Sequence, residues 1–203
     1  MIKIIHLDSC FLAAEKPSGL LTVPGRGLDK QDCLIRRVQL DFPDVRLVHR
    51  LDMGTSGLVL FARTLEAQRA LSKQFEQRKI KKSYQACVEG ILKKENGWVA
   101  FPLRKDMTQR LPPRHLVDCI RGKKAFTRWK VLERCEDKTR VALFPETGRS
   151  HQLRVHMFAI GHPIVGDPIY GTPEKRLMLH AHTLQLIHPE NGKEIFLESP
   201  VPF

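Results

Sequence analysis

Asp52 stands two residues after Arg50 and directly ahead of Met53-Gly54-Thr55-Ser56-Gly57, a segment with two glycines and two hydroxyls. Glycine opens backbone angles closed to other residues, and Ser or Thr hydroxyls bond to nearby backbone, so this composition predicts a tight turn. The apolar run Leu58-Val59-Leu60-Phe61 that follows predicts a buried strand. A carboxylate on a turn at the end of a sheet is placed for nucleophilic or acid–base work, although an Asp in that position also serves as a plain turn cap. Such a carboxylate stays ionised in a partly dry cleft only beside a cation. The segment Thr147-Gly148-Arg149-Ser150-His151-Gln152-Leu153-Arg154 offers two. Arg149 falls on a loop; Arg154 falls in the first turns of a helix that Ser150 should cap and whose N-terminus also favours an anion. Tyr84, one of two tyrosines with Tyr170, could stack on a flat ring and move a proton, or could be a core aromatic.

The elements that must position these groups are legible along the chain. Strand-like runs cover residues 1–7 and 10–14, followed by the turn Lys16-Pro17-Ser18-Gly19. A helix is expected over 29–42, ended by Pro43, and a strand over 58–63. Thr64 should cap a helix over 65–79. Strands are expected at 84–88, at 126–135 and 139–145 around Glu136-Asp137-Lys138, and at 177–187 and 194–197, with a helix over 150–160 closed by Gly161. Strands outnumber helices and short turns join most neighbours. The expected class is α+β, a mixed and largely antiparallel sheet flanked by helices and loops, in one domain spanning 1–203.

Lys and Arg number 34 against 22 acids in 203 residues, a net charge of +12 that favours a polyanionic partner. Nine basic residues crowd 104–130: Arg104, Lys105, Arg110, Arg114, Arg121, Lys123, Lys124, Arg128 and Lys130, against Asp106 and Asp118. Pro112-Pro113 and Gly122 interrupt them, so an exposed loop or hairpin that clamps phosphates is expected. The five cysteines are scattered with no Cys-x-x-Cys pair, which argues against a disulfide framework or a structural zinc site and for small apolar residues in a reducing compartment. His180 and His182 share a strand face without an evident third ligand, so no metal is expected. No apolar run reaches the ~18–20 residues that span a bilayer, and Asp8 interrupts the N-terminal run too early for a secretion signal. A cytoplasmic protein is expected.

His49-Arg50-Leu51-Asp52-x-x-Thr55-Ser56-Gly57 resembles the signature of the RluA-family pseudouridine synthases. Lys82-Ser83-Tyr84-Gln85-Ala86-Cys87-Val88-Glu89-Gly90 matches that family's Lys-x-Tyr-x-Ala-x-Val-x-Gly motif, and residues 147–154 its Thr-Gly-Arg-x-His-Gln-Leu-Arg motif. Lys16-Pro17-Ser18-Gly19 upstream (with Glu15 where asparagine is more usual), Gly161-His162-Pro163-Ile164-Val165-Gly166-Asp167 and Leu179-His180-Ala181 extend the likeness over nearly the whole chain and should shape the cleft floor. The resemblance implies that Asp52 is the catalytic nucleophile, that Arg154 pairs with it, and that Tyr84 stacks on the target base. Arg50 would fill the space of the extruded base or contact a phosphate, while His49 and Leu51 would pack. The reaction is an isomerisation on a flipped base and implies no cofactor and no metal.

No N-terminal RNA-binding module is expected, so RNA grip should fall to Arg50, Arg149, Arg104, Lys105, Arg110, Arg114, Lys123 and Lys124. Compact length and Val23-Pro24-Gly25-Arg26 are most similar to the short members with two targets, a large-subunit (23S) rRNA stem-loop and a tRNA anticodon stem-loop. Such a member would be a monomer. A sister enzyme confined to tRNA and a catalytically silent RNA-binding or ribosome-assembly factor are the competing readings. An aspartate-dependent hydrolase leaves the basic stretch unexplained.

Overall fold

A computed structural model of the chain describes residues 2–108 and 113–203. In chain order the strands and helices are β1 (Lys3–Leu7), β2 (Phe11–Lys16), α1 (Leu34–Gln39), β3 (Arg46–Leu47), β4 (Ser56–Ala62), α2 (Leu65–Glu76), β5 (Lys81–Glu89) and β6 (Asn96–Val99). They continue with β7 (Leu103–Lys105), β8 (His115–Val117), β9 (Thr127–Arg134), β10 (Lys138–Pro145), α3 (Gln152–Ala159), β11 (Leu179–Ile187) and β12 (Glu194–Glu198). The α+β class with a mixed sheet is as expected. Backbone contacts group the chain into two units, one holding residues up to Lys82 with His180–Pro202 and the other Ser83–Leu179 with Phe203.

In the first unit β4 pairs antiparallel with β2 and parallel with β11, while β1 and β12 pair outward from β2 and β11. Every residue of β4 is buried, which is why its sequence is apolar without alternation. Leu58, Leu60 and Ala62 pack with Phe11, Leu184 and the α2 residues Ala67 and Leu71. Gly57 has φ 108°, and a Cβ there would collide with the Ala181 carbonyl oxygen, so only glycine lets β4 and β11 meet at this point. Thr64 caps α2 as expected, its hydroxyl accepting from Ala67 N. The helix ends at Glu76 rather than 79, with Arg78 at φ 58° beyond it.

The helix expected over 29–42 is corrected to a 3-10 turn at Leu28–Lys30 and the six-residue α1. Cys33 is extended at φ −159° and bridges Leu21, while Leu34 N and Ile35 N bond to Leu21 O and Thr22 O. Apolar spacing alone ran through this extended residue, because pairing with a distant segment leaves no mark on local periodicity.

In the second unit β5, β10, β9 and β6 form an antiparallel sheet whose inner face joins Leu153 and Met157 of α3. β6 was not anticipated, being short and carrying Gly97 and the exposed Trp98. The basic stretch is the β7–β8 hairpin followed by the start of β9, with Lys105 opposite His115. Arg110 lies outside the described residues. The helix expected over 150–160 begins at Gln152, and Ser150 does not cap it. Gln152 organises the turn instead. Its Oε1 accepts from Thr147 Oγ1 (2.7 Å) and Arg149 N (3.0 Å), and its Nε2 donates to Phe126 O and Thr127 Oγ1. Cys10 and Cys33 are buried as expected of apolar residues, but Cys119 and Cys135 are exposed.

Candidate active site

The Asp52 turn is built by residues 16–22 as much as by its own glycines. The ammonium of Lys16, itself fully buried, donates to Pro17 O (2.9 Å), Leu20 O (2.6 Å) and Met53 O (2.9 Å), which uses all three of its protons. Burial pulls its pKa down to about 8, opposed by the charge of Asp52 nearby. The Thr22 hydroxyl donates to Leu51 O (2.8 Å) and accepts from Leu51 N (3.1 Å), doing for that residue what a neighbouring strand would. Ser18 Oγ donates to Gly54 O and Gly19 N to Met53 O. The backbone oxygen of Asp52 closes the turn by accepting from Thr55 N. Residues on both sides of Asp52 are thereby fixed, and its half-buried carboxylate shares the loop with a buried cation.

The flanking signature residues hold the turn on the sheet. Leu51 is buried, and His49 lies against Phe75 with its Nε2 accepting from Leu60 N (3.0 Å), so both pack as expected. Desolvation, reinforced by the charge of Lys82, pushes the His49 pKa down to about 3, in keeping with an acceptor nitrogen. Arg50 is exposed. Ser56 Oγ lies 2.9 Å from Nδ1 of His180, whose Nε2 reaches Ser199, and the Ser199 hydroxyl donates to Glu15. The glutamate that replaces the usual asparagine thus terminates a buried hydrogen-bond relay anchoring β11 beside the turn.

The second unit holds Arg154 with equal rigidity. Arg154 is 5 % exposed, and its guanidinium makes a bidentate pair with Asp167, 2.6 Å for each bond, while Cζ stands 5.1 Å from the centre of the Tyr170 ring. Asp167 is fully buried, and its Oδ1 also accepts from Ile169 N and Tyr170 N. Gly166 at φ 76° gives the chain its path into this residue, since a Cβ there would collide with Arg176 O. Neither Asp167 nor Tyr170 was singled out in the sequence. The available signal was an aspartate after Gly-His-Pro-Ile-x-Gly, in a chain whose buried arginine needed a carboxylate. Tyr84 lies on β5 opposite Leu143, half-buried against the cluster that includes Leu153 and Met157.

Of the residues expected to grip RNA, Lys105, Lys123, Lys124 and Arg149 are exposed, and Arg149 Nε donates to Lys124 O (3.2 Å). Arg104 pairs with Asp118 at 2.7 Å, and Arg114 lies over the Tyr170 ring. Among the described residues one group, Asp8, Cys10 and His188, brings three possible metal-ligand atoms within 4.8 Å of one another. Nδ1 of His188 accepts from Glu190 N and Asn191 N, which puts its proton on Nε2, 3.2 Å from Asp8 Oδ2. That nitrogen donates a hydrogen bond and has no lone pair for an ion.

A turn presenting an aspartate, a strand presenting a tyrosine and a helix presenting a locked arginine occur in the order the sequence motifs require. The RNA pseudouridylate synthase family profile matches residues 11–159, and the chain belongs to that family. It is an isomerase that forms pseudouridine in RNA. Its relatives include the dual-specificity RNA pseudouridine synthase RluA of Yersinia pestis, 45 % identical over 98 % of this chain and 99 % of that one. The RluA of Escherichia coli K12 is 45 % identical over 98 % and 93 %, and that of Vibrio cholerae 47 % identical over 94 % and 79 %. Human RNA Pseudouridylate Synthase Domain Containing 1 is a structural neighbour with a TM-score of 0.85, 28 % identity and coverage of 100 % of this chain and 84 % of that one.

Proposed function

We propose that the chain, acting as one catalytic domain, isomerises uridines in two RNAs, a 23S rRNA stem-loop and a tRNA anticodon stem-loop. Each target base is extruded from its stack. Asp52 is the nucleophile, Arg154 the cation that orients it, and Tyr84 the ring on which the base stacks and through which its proton moves. The base leaves its sugar, turns and rejoins through carbon, so atoms balance without a cofactor. The observation that carries the assignment of Asp52 is the pinning of its turn by Lys16, Ser18, Gly19 and Thr22: the turn is held through backbone groups on either side of the carboxylate. Preorganisation of this kind serves chemistry, because a reacting group displaced by ~1 Å loses about a hundredfold in rate.

Lys105, Lys123, Lys124, Arg149 and Arg50 contact phosphates, while Arg104 and Arg114 stiffen the hairpin. The protein works as a monomer in the cytoplasm. The likeness to relatives named for dual specificity supports the two-RNA reading. Pseudouridine formation on separate rRNA and tRNA stem-loop transcripts, without added metal or cofactor, is the test, with Asp52→Ala in parallel. Conversion of both RNAs by wild type and of neither by the variant is the expected result. Conversion of tRNA alone would replace this reading by that of a tRNA-specific sister enzyme. Binding of RNA with no converted uridine would leave an RNA-binding factor.

A further inference from the structure

We propose that Tyr170 is a positioning residue that couples the β7–β8 hairpin to Arg154, so that RNA held on the hairpin sets the guanidinium. The proposal rests on the catalytic reading of Arg154 given above. Arg104 faces Leu116 and Asp106 N bonds to Arg114 O, which leaves Lys105 and His115 as a pair whose own backbone groups point away from each other. On the outer side of β8 the groups of His115 meet the phenol. His115 N donates to Tyr170 Oη (2.8 Å), and Tyr170 Oη donates to His115 O (3.1 Å). The hydroxyl has one proton and two lone pairs. Its second lone pair receives Nδ1–H of His151 (3.0 Å), which completes the set. Burial raises the phenol pKa to about 12, so the proton stays in place at every working pH.

The same residue grips Arg154 by three routes. Its ring lies under the guanidinium, and its backbone N shares Asp167 Oδ1 with Arg154 Nη2. Its hydroxyl holds His151, which sits at the α3 N-cap with φ 55°. That left-handed conformation is uncommon for a residue with a Cβ, and Arg154 follows three residues later. The hairpin base is packed, with Leu103 and Ala125 against Val155 and Tyr170. Beside β8, a cavity of about 240 Å³ is lined by Arg114, His115, Val155 and Phe158. Movement of β8 therefore reaches α3 through the phenol. Lys105, exposed opposite His115, is where a phosphate would act on it. Binding energy collected away from the base is in this way spent on geometry at the base.

The test measures single-turnover pseudouridine formation and RNA affinity for wild type, Tyr170→Phe, Lys105→Ala and the double variant. Tyr170→Phe keeps the ring and removes the hydroxyl; it should lower the saturating rate about tenfold, the effect of losing one well-placed hydrogen bond, with RNA affinity unchanged. Lys105→Ala should lower both affinity and saturating rate in wild type, but affinity alone in the Tyr170→Phe background. Rate effects that simply multiply, or a Tyr170→Phe enzyme as fast as wild type, would overturn the coupling. Should Tyr170→Phe fail to fold, His151→Asn carries the same cycle, since asparagine tolerates the left-handed backbone. Hydrogen exchange reads the coupling without activity: RNA should slow exchange across residues 152–159 in wild type and not in Tyr170→Phe. Equal protection in both would sink the proposal. Protection in wild type without any pseudouridine would instead overturn the catalytic reading and leave the coupling standing.

Discussion

Asp167 and His49 show how much a single buried partner contributes. Asp167→Ala leaves the buried Arg154 without its bidentate acceptor, a change that costs about 3–5 kcal/mol when one member of a buried pair is removed. Urea unfolding should register that loss, and activity should vanish with it; a variant as stable as wild type would mean Arg154 finds another acceptor. His49 gives a pH signature. Its pKa falls from the ordinary 6.5 to about 3 because desolvation disfavours the cation, with the charge of Lys82 adding to the effect. The folded state then binds fewer protons than the unfolded chain between those values. This contribution is complete above 6.5 and is lost as pH falls towards 3. Thermal unfolding of wild type should drop across that window more steeply than that of His49→Gln; parallel curves would exclude the assignment.

At the scale of elements, the Asp52 turn depends on a segment some thirty residues upstream. Thr22→Val keeps the shape of the side chain but leaves Leu51 N–H and C=O without the hydroxyl that serves both. Each buried group left unsatisfied costs about 1–3 kcal/mol. The rate of pseudouridine formation should fall further than RNA affinity does, because the loosened element carries the carboxylate; equal losses in both would show a general fold defect. Gly57→Ala forces a Cβ onto the Ala181 carbonyl in a backbone conformation that suits glycine, so it should destabilise by more than about 1 kcal/mol in calorimetry. The strands themselves were largely legible. β4, β9 and β10 announce themselves through apolar runs and alternation within their own few residues. β6 and α1 did not: one is short and carries a glycine, and the other is truncated where Cys33 bridges Leu21.

Over the whole molecule, a net charge of +12 makes RNA affinity depend on salt. Replacing Lys105, Lys123 and Lys124 together by alanine should flatten the slope of log affinity against log salt by about 2, at roughly 0.7 per single-strand phosphate contact. An unchanged slope would move the RNA-binding surface elsewhere. The motifs that carry Asp52, Tyr84 and Arg154, and their order, were legible in the sequence alone, because turn glycines, strand alternation and motif spacing are local properties. So was the α+β class. The tertiary structure alone decided that Lys16 and Thr22 hold the Asp52 turn, that Asp167 holds Arg154, and that Tyr170 joins the hairpin to the helix. Each of these is a contact between residues far apart in the chain, and such a contact leaves no periodicity in the residues on either side of it.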